Sequence, residues 1–561
     1  MSDIKLKTNK TALQLGENPL DVKGFFYLPK STNVCPDGRQ SIILRLPDRV
    51  SEPVLLSELK SVTYKKDSIK FILQDLSSEF NAEVSITTGK DGIKFSCQVH
   101  STKPIWLIEW KLSGLRLKEV LVPALGGQVI KNTAPTGTQL SYKYPFWWNA
   151  QFVLGEISNG GIIIRSKDDQ PELKLLRVLK EKESFEISYG FEVPAPLDKK
   201  SFRAEWYLDF YEDNWKNGVD IHRKWLEETF KLKPFKEHSS FPAWARKINF
   251  ILEVWGARRD KINPAHSFDE IRKRIKEFAK FYDPSKTLLY LAGFAEHGID
   301  SNAPDYNPSK QCGGEDKFKL LVDEAHKLGY KVMIHTNVLA MTFHHRLYPQ
   351  FKKFQVIDCF GREQTWGLDM DGDWLTEPYF AYINPANKEW RNLMKKTLGT
   401  LIKKFNLDAV FLDQTLLAFN VSNGKNFLKG MRDHIKRLQS AFPDVLFAGE
   451  GIHEQVLPAL PMAQIHGIDS IKEVHGMEGE VEWREVHPIS SYLFGKYTKL
   501  TAHLLTKHPT NPMFLFQEKS YDKLGVSPAL VLYTSDQIID LPETHKMIKR
   551  AEKLKNFKDL K

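Results

Sequence analysis

Two rhythms of hydrophobic and polar positions run through this chain, and one gives way to the other near residue 240. Before that point apolar residues recur mostly at every second position in short runs, at 41–46, 69–73, 82–86, 93–99 and 104–110. Further runs at 162–164, 173–179, 185–191 and 202–210 continue the pattern. Alternate residues of an extended chain point to opposite faces, so period two marks half-buried strands. Turn residues punctuate the runs at Lys90, Asp91 and Gly92, at Asn159, Gly160 and Gly161, and between Pro194 and Pro196. Many strands and few helical stretches predict an antiparallel β-sandwich over residues 1–235. Residues 211–240 read as a helix and then a linker, where lysines and Pro234 break the pattern.

From about residue 245, apolar runs alternate with stretches of helical period. The runs lie at 248–255, 287–294, 331–337, 407–413, 445–448, 462–466, 512–516 and 529–533. Helices are predicted between them at 268–278, 316–328, 388–405, 425–440 and 490–505, with one more at 545–554. In the first, Phe268, Ile271, Ile275 and Phe278 share one face. In the third, Leu393, Leu398, Leu401, Ile402 and Phe405 point inward. Eight such units predict a (β/α)8 barrel over residues 236–561, with a long loop insertion at about 340–385. An open doubly wound sheet is the rival, but no Gly-rich phosphate turn follows the first run.

Composition narrows the picture mainly by exclusion. A chain of 561 residues is too long for one ordinary core, which agrees with two domains. The net charge is +10, but the lysines are scattered among acids, so no nucleic-acid footprint is expected. Cys35, Cys97, Cys312 and Cys359 have neither metal-ligand spacing nor the density of a disulfide scaffold. No secretory leader or membrane-spanning run is present, so the expected location is the cytoplasm, or outside the cell for a chain whose leader has been removed.

In a parallel barrel the carboxyl ends of the strands share one face, where chemistry is usually built. Here those ends offer Glu253 and Trp255, Glu296 and His297, His335 and Asn337, Asp413 and Gln414, Glu450, and His466 and Asp469. The runs ending at Asp413 and Glu450 are consecutive, and each stops on an acid. Cleavage of a glycosidic bond needs two facing carboxyls, one ionised and one protonated. Asp413, on the shorter side chain beside the amide of Gln414, is assigned as nucleophile, and Glu450, flanked by glycines, as acid/base. His335 and Asn337 are expected to bond a sugar hydroxyl or to orient Asp413. Trp255, His297, Trp366, Trp374 and His466 are further substrate-binding candidates. Trp147 and Trp148 of the first half offer a second sugar platform. The acidic stretch 369–373 has the oxygen ligands of a calcium loop but not its spacing, and no metal or cofactor is expected.

Three segments resemble the α-acting (β/α)8-barrel glycoside hydrolases, the α-amylase superfamily in its broad sense: residues 325–337, 408–413 and 447–450. The large sandwich ahead of the barrel resembles the branch of the endo-α-N-acetylgalactosaminidases. The resemblance implies the acid after the fourth strand as nucleophile and that after the fifth as acid/base, which are Asp413 and Glu450. Two departures stand out. Phe411 occupies the place of the superfamily's Arg, and Phe516-Gln517-Glu518 stands where a His-Asp pair is expected. In α-galactosidase-like barrels the acid comes from the sixth strand, which makes Asp469 the alternative acid. The expected function is a retaining glycoside hydrolase acting on an α-linked oligosaccharide or polysaccharide. A transglycosylase on the same residues and a non-catalytic carbohydrate-binding protein stay open as alternatives.

Overall fold

The computed structural model describes residues 4–169, 172–259, 261–366, 379–468, 481–503 and 512–554. The chain divides into one compact unit of Met1–Lys231 with Glu480–Leu493, and a second of Leu232–Gly479 with Phe494–Lys561.

The first unit is a sandwich of two ten-stranded antiparallel sheets. Buried and half-buried positions alternate along Gly38–Arg45, as period two requires. The inner faces interlock through aromatic rings: Trp110 of one sheet lies 5.2 Å from Trp206 of the other, which stacks on Phe95 at 5.5 Å. Trp148 belongs to this core. It is fully buried, and its Nε1 donates to the Phe152 carbonyl at 2.9 Å, so it is no sugar platform. One strand arrives from far along the chain, where Arg484–Val486 pairs antiparallel with Gln128–Lys131. It is too short to leave a periodic signal.

The second unit is a parallel barrel. Its strands are β1 (Phe250–Trp255), β2 (Thr287–Ala292), β3 (Lys331–Asn337), β4 (Ala409–Asp413), β5 (Leu446–Gly449), β6 (Met462–Ile465), β7 (Lys499–Ala502) and β8 (Ala529–Leu532). From β1 to β7 each bonds to the next, and β8 bonds to β1. Thr501 pairs in parallel with Ser527, just ahead of β8, and closes the ring. All six positions of β2 are buried, which explains why it reads as a continuous apolar run.

Seven of the eight strands fall on their predicted runs, and β7 does not. The run at 512–516 opens the helix Pro512–Leu524, whereas β7 lies within the stretch predicted as helix, where the helix among the described residues is Ile489–Phe494. A short apolar run is ambiguous between strand and buried helix, and a strand reading Lys-Leu-Thr-Ala carries little apolar signal. Glu518, at the end of the misread run, accepts two bonds from Arg550 at 2.9 and 2.7 Å.

The helices follow their caps. Helix α1 (Phe268–Phe278) opens with reciprocal bonds between Ser267 and Glu270 and buries the four predicted residues. Each such side chain is worth about 1.5–3 kcal/mol. Helix α2 (Gly314–Leu328) stops at Gly329, which takes the left-handed conformation. Asn387 and Asn426 cap α3 (Lys388–Phe405) and α4 (Phe427–Ala441). In α3 the buried stripe is turned toward Trp390 and Met394, leaving Leu393 and Ile402 half-buried. The insertion holds a small antiparallel sheet of Ala340–Thr342, Thr365–Trp366 and Phe380–Tyr382.

Asp408, just ahead of β4, ties the lower end of the barrel together. It accepts from His326 Nε2 at 2.7 Å, Lys331 Nζ at 2.6 Å and the Val332 N–H at 2.9 Å. Burial works against its charge, but these donors outweigh it and hold the carboxyl below the usual range. Its contribution to stability is therefore present above the unfolded carboxyl value and lost as pH falls through the folded one. D408N is expected to cost about 1–3 kcal/mol in urea unfolding at pH 7. At acid pH the difference should shrink, and equal stability of the two proteins at pH 7 would refute the anchor.

Candidate active site

Strand register builds the site. Asn337, the last residue of β3, pairs with Asp413, the last residue of β4. Leu412 pairs with Gly449 of β5, and the Glu450 N–H donates to the Leu412 carbonyl at 3.1 Å. Asn337, Asp413 and Glu450 therefore stand side by side at one level of the barrel.

Asn337 Nδ2 lies 3.3 Å from Asp413 Oδ2, 3.0 Å from Asp300 Oδ2 and 3.0 Å from Gln414 Oε1. Its Oδ1 accepts from the N–H groups of Leu339 and Ala340, both at 2.9 Å. An amide oxygen held by two backbone donors leaves the NH2 group facing the carboxylates. Gln414 leaves the strand with φ of 64°, a left-handed backbone that side chains other than Gly rarely take. This turn aims its N–H at Glu450 Oε2, 2.9 Å away, while its Nε2 donates to Tyr382 Oη at 3.1 Å. The amide expected to steady Asp413 thus reaches Tyr382 and Asn337, and the Gln414 backbone steadies Glu450. Gly449 makes room for this junction: a Cβ there would lie 2.5 Å from Thr415 Oγ1, which donates to the Glu450 carbonyl at 3.0 Å.

Histidines and further acids surround the pair. His466 Nε2 is 3.4 Å from Glu450 Oε1, and the His503 ring lies 4.6 Å from that of His466. On the other side Tyr290 Oη and His335 Nδ1 are 2.6 Å apart, with His335 Nε2 3.4 Å from Asp300 Oδ1. Trp255 Nε1 donates to Glu253 Oε1 at 2.8 Å, and its ring packs 4.8 Å from Tyr533.

The acids are not treated alike. Burial, then the charge of Glu450, pushes the Asp413 carboxyl far above its ordinary value, with His335 and His503 offsetting part of the rise. Burial likewise raises Glu253 against the pull of His503 and His335. Asp300 is buried too, yet His335, the Asn337 bond and Arg259 hold it below the usual range. Among the described residues, Asp300 with His335 and Asp413, and Glu450 with His466 and His503, each bring three ligand-type atoms within 4.8 Å of one another. In the first group the Asn337 amide turns its hydrogens toward both carboxylates, and in the second the Gln414 N–H takes one Glu450 oxygen. Both are hydrogen-bonded clusters of carboxylate and imidazole.

The other predicted residues divide. Trp255, His335, Asn337 and His466 join the cluster. His297 is exposed, with φ of 62°, and enters none of the hydrogen bonds or ion pairs of the site. Glu296 accepts from the Lys310 N–H at 3.1 Å and secures its own loop. Trp366 sits in the insertion sheet, stacked on Phe380 at 5.4 Å, with the Arg259 guanidinium 4.7 Å from its ring. Trp374, Asp469 and the acidic stretch 369–373 lie outside the described residues. Sequence reasoning missed Tyr290, Asp300, Tyr382 and His503. Tyr290 is internal to β2, Asp300 and Tyr382 come from loop and insertion, and only His503, just past β7, becomes visible once that strand is placed correctly.

Fold and site together define a two-part protein, a β-sandwich joined to a parallel barrel that carries paired acids at its strand ends. Residues 202–502, more than half of the chain, match the family described as "Domain of unknown function (DUF6259)", and the chain belongs to that family. No curated protein matches it. Among solved structures it is similar to the α-N-acetylgalactosaminidase NagBb from Bifidobacterium bifidum in its Gal-NHAc-DNJ complex, with TM-score 0.76 and 11% identity over 98% of this chain and 93% of that one. The GalNAc complex of the same protein gives TM-score 0.75 and 12% identity over 98% and 92%. The α-galactosidase AgaB from Geobacillus stearothermophilus gives TM-score 0.50 and 9% identity over 99% and 86%. The sandwich-plus-barrel fold implied by the resemblance to α-acting glycosidases is the fold that these structures have.

The raised Asp413 carboxyl has a thermodynamic consequence. A group whose folded value lies above its unfolded one costs stability once pH exceeds the unfolded value, and the cost is complete above the folded one. D413N removes that charge, so it is expected to raise the Tm at pH 7 and above by at least about 2 °C. Below about pH 4 the gain should vanish. A drop in Tm at neutral pH, measured by scanning calorimetry, would contradict this account.

Proposed function

We propose that this chain hydrolyses an α-glycosidic bond with retention of configuration, with Asp413 as nucleophile and Glu450 as general acid and base. One observation carries the reading: the residue after Asp413 donates its N–H to Glu450 Oε2 at 2.9 Å, so a single peptide unit joins the two strand-end acids. Asn337 holds Asp413 from the neighbouring strand. Retaining glycosidases use two such carboxyls around the bond they cut.

In the first step Asp413 attacks the anomeric carbon as a carboxylate, and Glu450 gives its proton to the departing oxygen. The bond to the aglycone breaks, and a glycosyl ester of Asp413 forms with inverted configuration. In the second step Glu450, now a carboxylate, takes a proton from water while the water oxygen displaces Asp413. Two inversions give net retention. Asp413 must be ionised to attack, and burial with the Glu450 charge makes it hold its proton tightly. Activity is therefore expected to rise with pH through a midpoint above the ordinary carboxylate range.

The proteins of similar fold are described as α-N-acetylgalactosaminidase and α-galactosidase. That supports α-linked N-acetylgalactosamine and galactose as the first substrates to try. The test is a panel of aryl α- and β-glycosides, with the released anomer followed by NMR. The wild type should release the α-anomer from an α-glycoside, and D413N should be inactive. E450Q should lose about 10²–10⁴-fold on substrates with poor leaving groups and less on activated ones. An unimpaired E450Q would show that the acid lies elsewhere, and release of the β-anomer would exclude retention.

A further inference from the structure

The reading of Asp413 as nucleophile leaves an electrostatic problem. Its carboxyl faces Glu450 from β5 and Asp300 from the loop after β2, and both charges oppose its ionisation. Among the described residues, the positive charges set against them are those of His335, from β3, and His503, past β7. We propose that His335 is the resident cation of this site, held between the Tyr290 hydroxyl and Asp300, and that its charge favours the carboxylate form of Asp413 against the acids around it. His335 is thus a positioning residue that acts through the nucleophile, with no contact to the sugar required.

The geometry suits a doubly protonated ring. Nδ1 lies 2.6 Å from Tyr290 Oη, and Nε2 faces Asp300 Oδ1 at 3.4 Å. The Tyr290 hydroxyl can serve a neutral or a charged ring, so what favours the charge is the pair of carboxylates close by, Asp300 and Asp413. The groups facing the ring are Tyr290 from β2, Asp300 from the loop after it, Asp413 from β4 and Glu253 from β1. Burial opposes a charge here, yet the contact with Asp300 and the charges of Asp413 and Glu253 outweigh it, and the ring is more basic than usual. Ligand-type atoms of His335, Asp300 and Asp413 all lie within 4.8 Å of one another. At that range an opposite charge lowers a carboxyl by about one to three pH units. The ring is packed in place, 5% exposed and 5.6 Å from Phe411.

The effect is reciprocal, because a charge that favours ionisation of Asp413 is itself favoured by the resulting carboxylate. Two measurements on the full chain test it. The first is the pH dependence of kcat/KM for wild type and H335Q on whichever α-glycoside the wild type cleaves. H335Q should move the acid limb up by about one pH unit, so that at the foot of that limb it loses about tenfold more than on the plateau. A uniform loss at every pH, with the limb unmoved, would mean that His335 only fills space. The second needs no turnover: NMR of protein labelled with ¹⁵N-histidine, with H335Q identifying the signal. Both ring nitrogens should carry protons at pH 7, and D413N should lower the titration midpoint of His335. A neutral ring at pH 7, or a midpoint unchanged in D413N, overturns the inference whatever the substrate. If no glycoside is cleaved while the two titrations prove coupled, the glycosidase reading fails and the charge pairing stands.

Discussion

Like charges brought together at one end of a barrel are the constraint on which this structure turns. Asp413 and Glu450 gather with Asp300 and Glu253 at the carboxyl face, and burial strengthens every repulsion among them. Parallel register alone brings Asp413 and Glu450 together, because β3, β4 and β5 end at one level. Keeping them there takes more. Asn337 turns one amide group toward two carboxylates, Gln414 accepts a strained backbone to reach Glu450, and imidazoles stand beside each acid. None of these contacts makes sense as packing alone. Together they let acids occupy a space from which unassisted charges would drive one another apart.

How much of this is legible in the sequence follows from what leaves a periodic trace. Buried parallel strands such as β2 and β3 are unbroken apolar runs, and amphipathic helices such as α1 repeat their core residues at helical spacing, so both can be read directly. The pair Asp413 and Glu450 is readable for the same reason: an acid that ends an apolar run is conspicuous. Strand β7 is not readable, since Lys499-Leu-Thr-Ala502 is short and half polar, while the run that imitates it belongs to a helix. That one misplacement hides His503. The pairing of Arg484–Val486 with Gln128–Lys131 joins segments hundreds of residues apart, and local pattern carries no information about it.

Residues contributed by loops form a different category. Asp300 enters the site through a left-handed residue in a loop rich in Gly, Pro and Asn, and Tyr382 enters from the small sheet of the insertion. Composition marks such stretches as loops but not where they return. The barrel thus supplies Asp413 and Glu450 from rigid strand ends, while the parts that distinguish one barrel from another come from segments free to vary. Phe411 of β4 packs 4.9 Å from Tyr290, whose hydroxyl meets His335 Nδ1 at 2.6 Å, so even the strand interiors support the ring beside the acids.

The two ends of β4 make the division of labour concrete. Asp408 and Asp413 are five positions apart on one segment, both half-buried acids, yet their carboxyls are shifted in opposite directions. Below, His326, Lys331 and a backbone N–H surround Asp408 with donors, so its charge is favoured and the fold gains from it. Above, Asp413 has one amide partner at 3.3 Å among the described residues, and burial with the charges of Glu450 and Asp300 outweighs the help of His335 and His503, so its charge is resisted and the fold loses by it. A barrel selected for stability alone would satisfy both ends in the same way. Among the described residues, the donors gathered around Asp408 have no counterpart around Asp413. A carboxylate destabilised there releases free energy by taking up a proton or, in the proposed reaction, by meeting the positive charge that develops at an anomeric carbon.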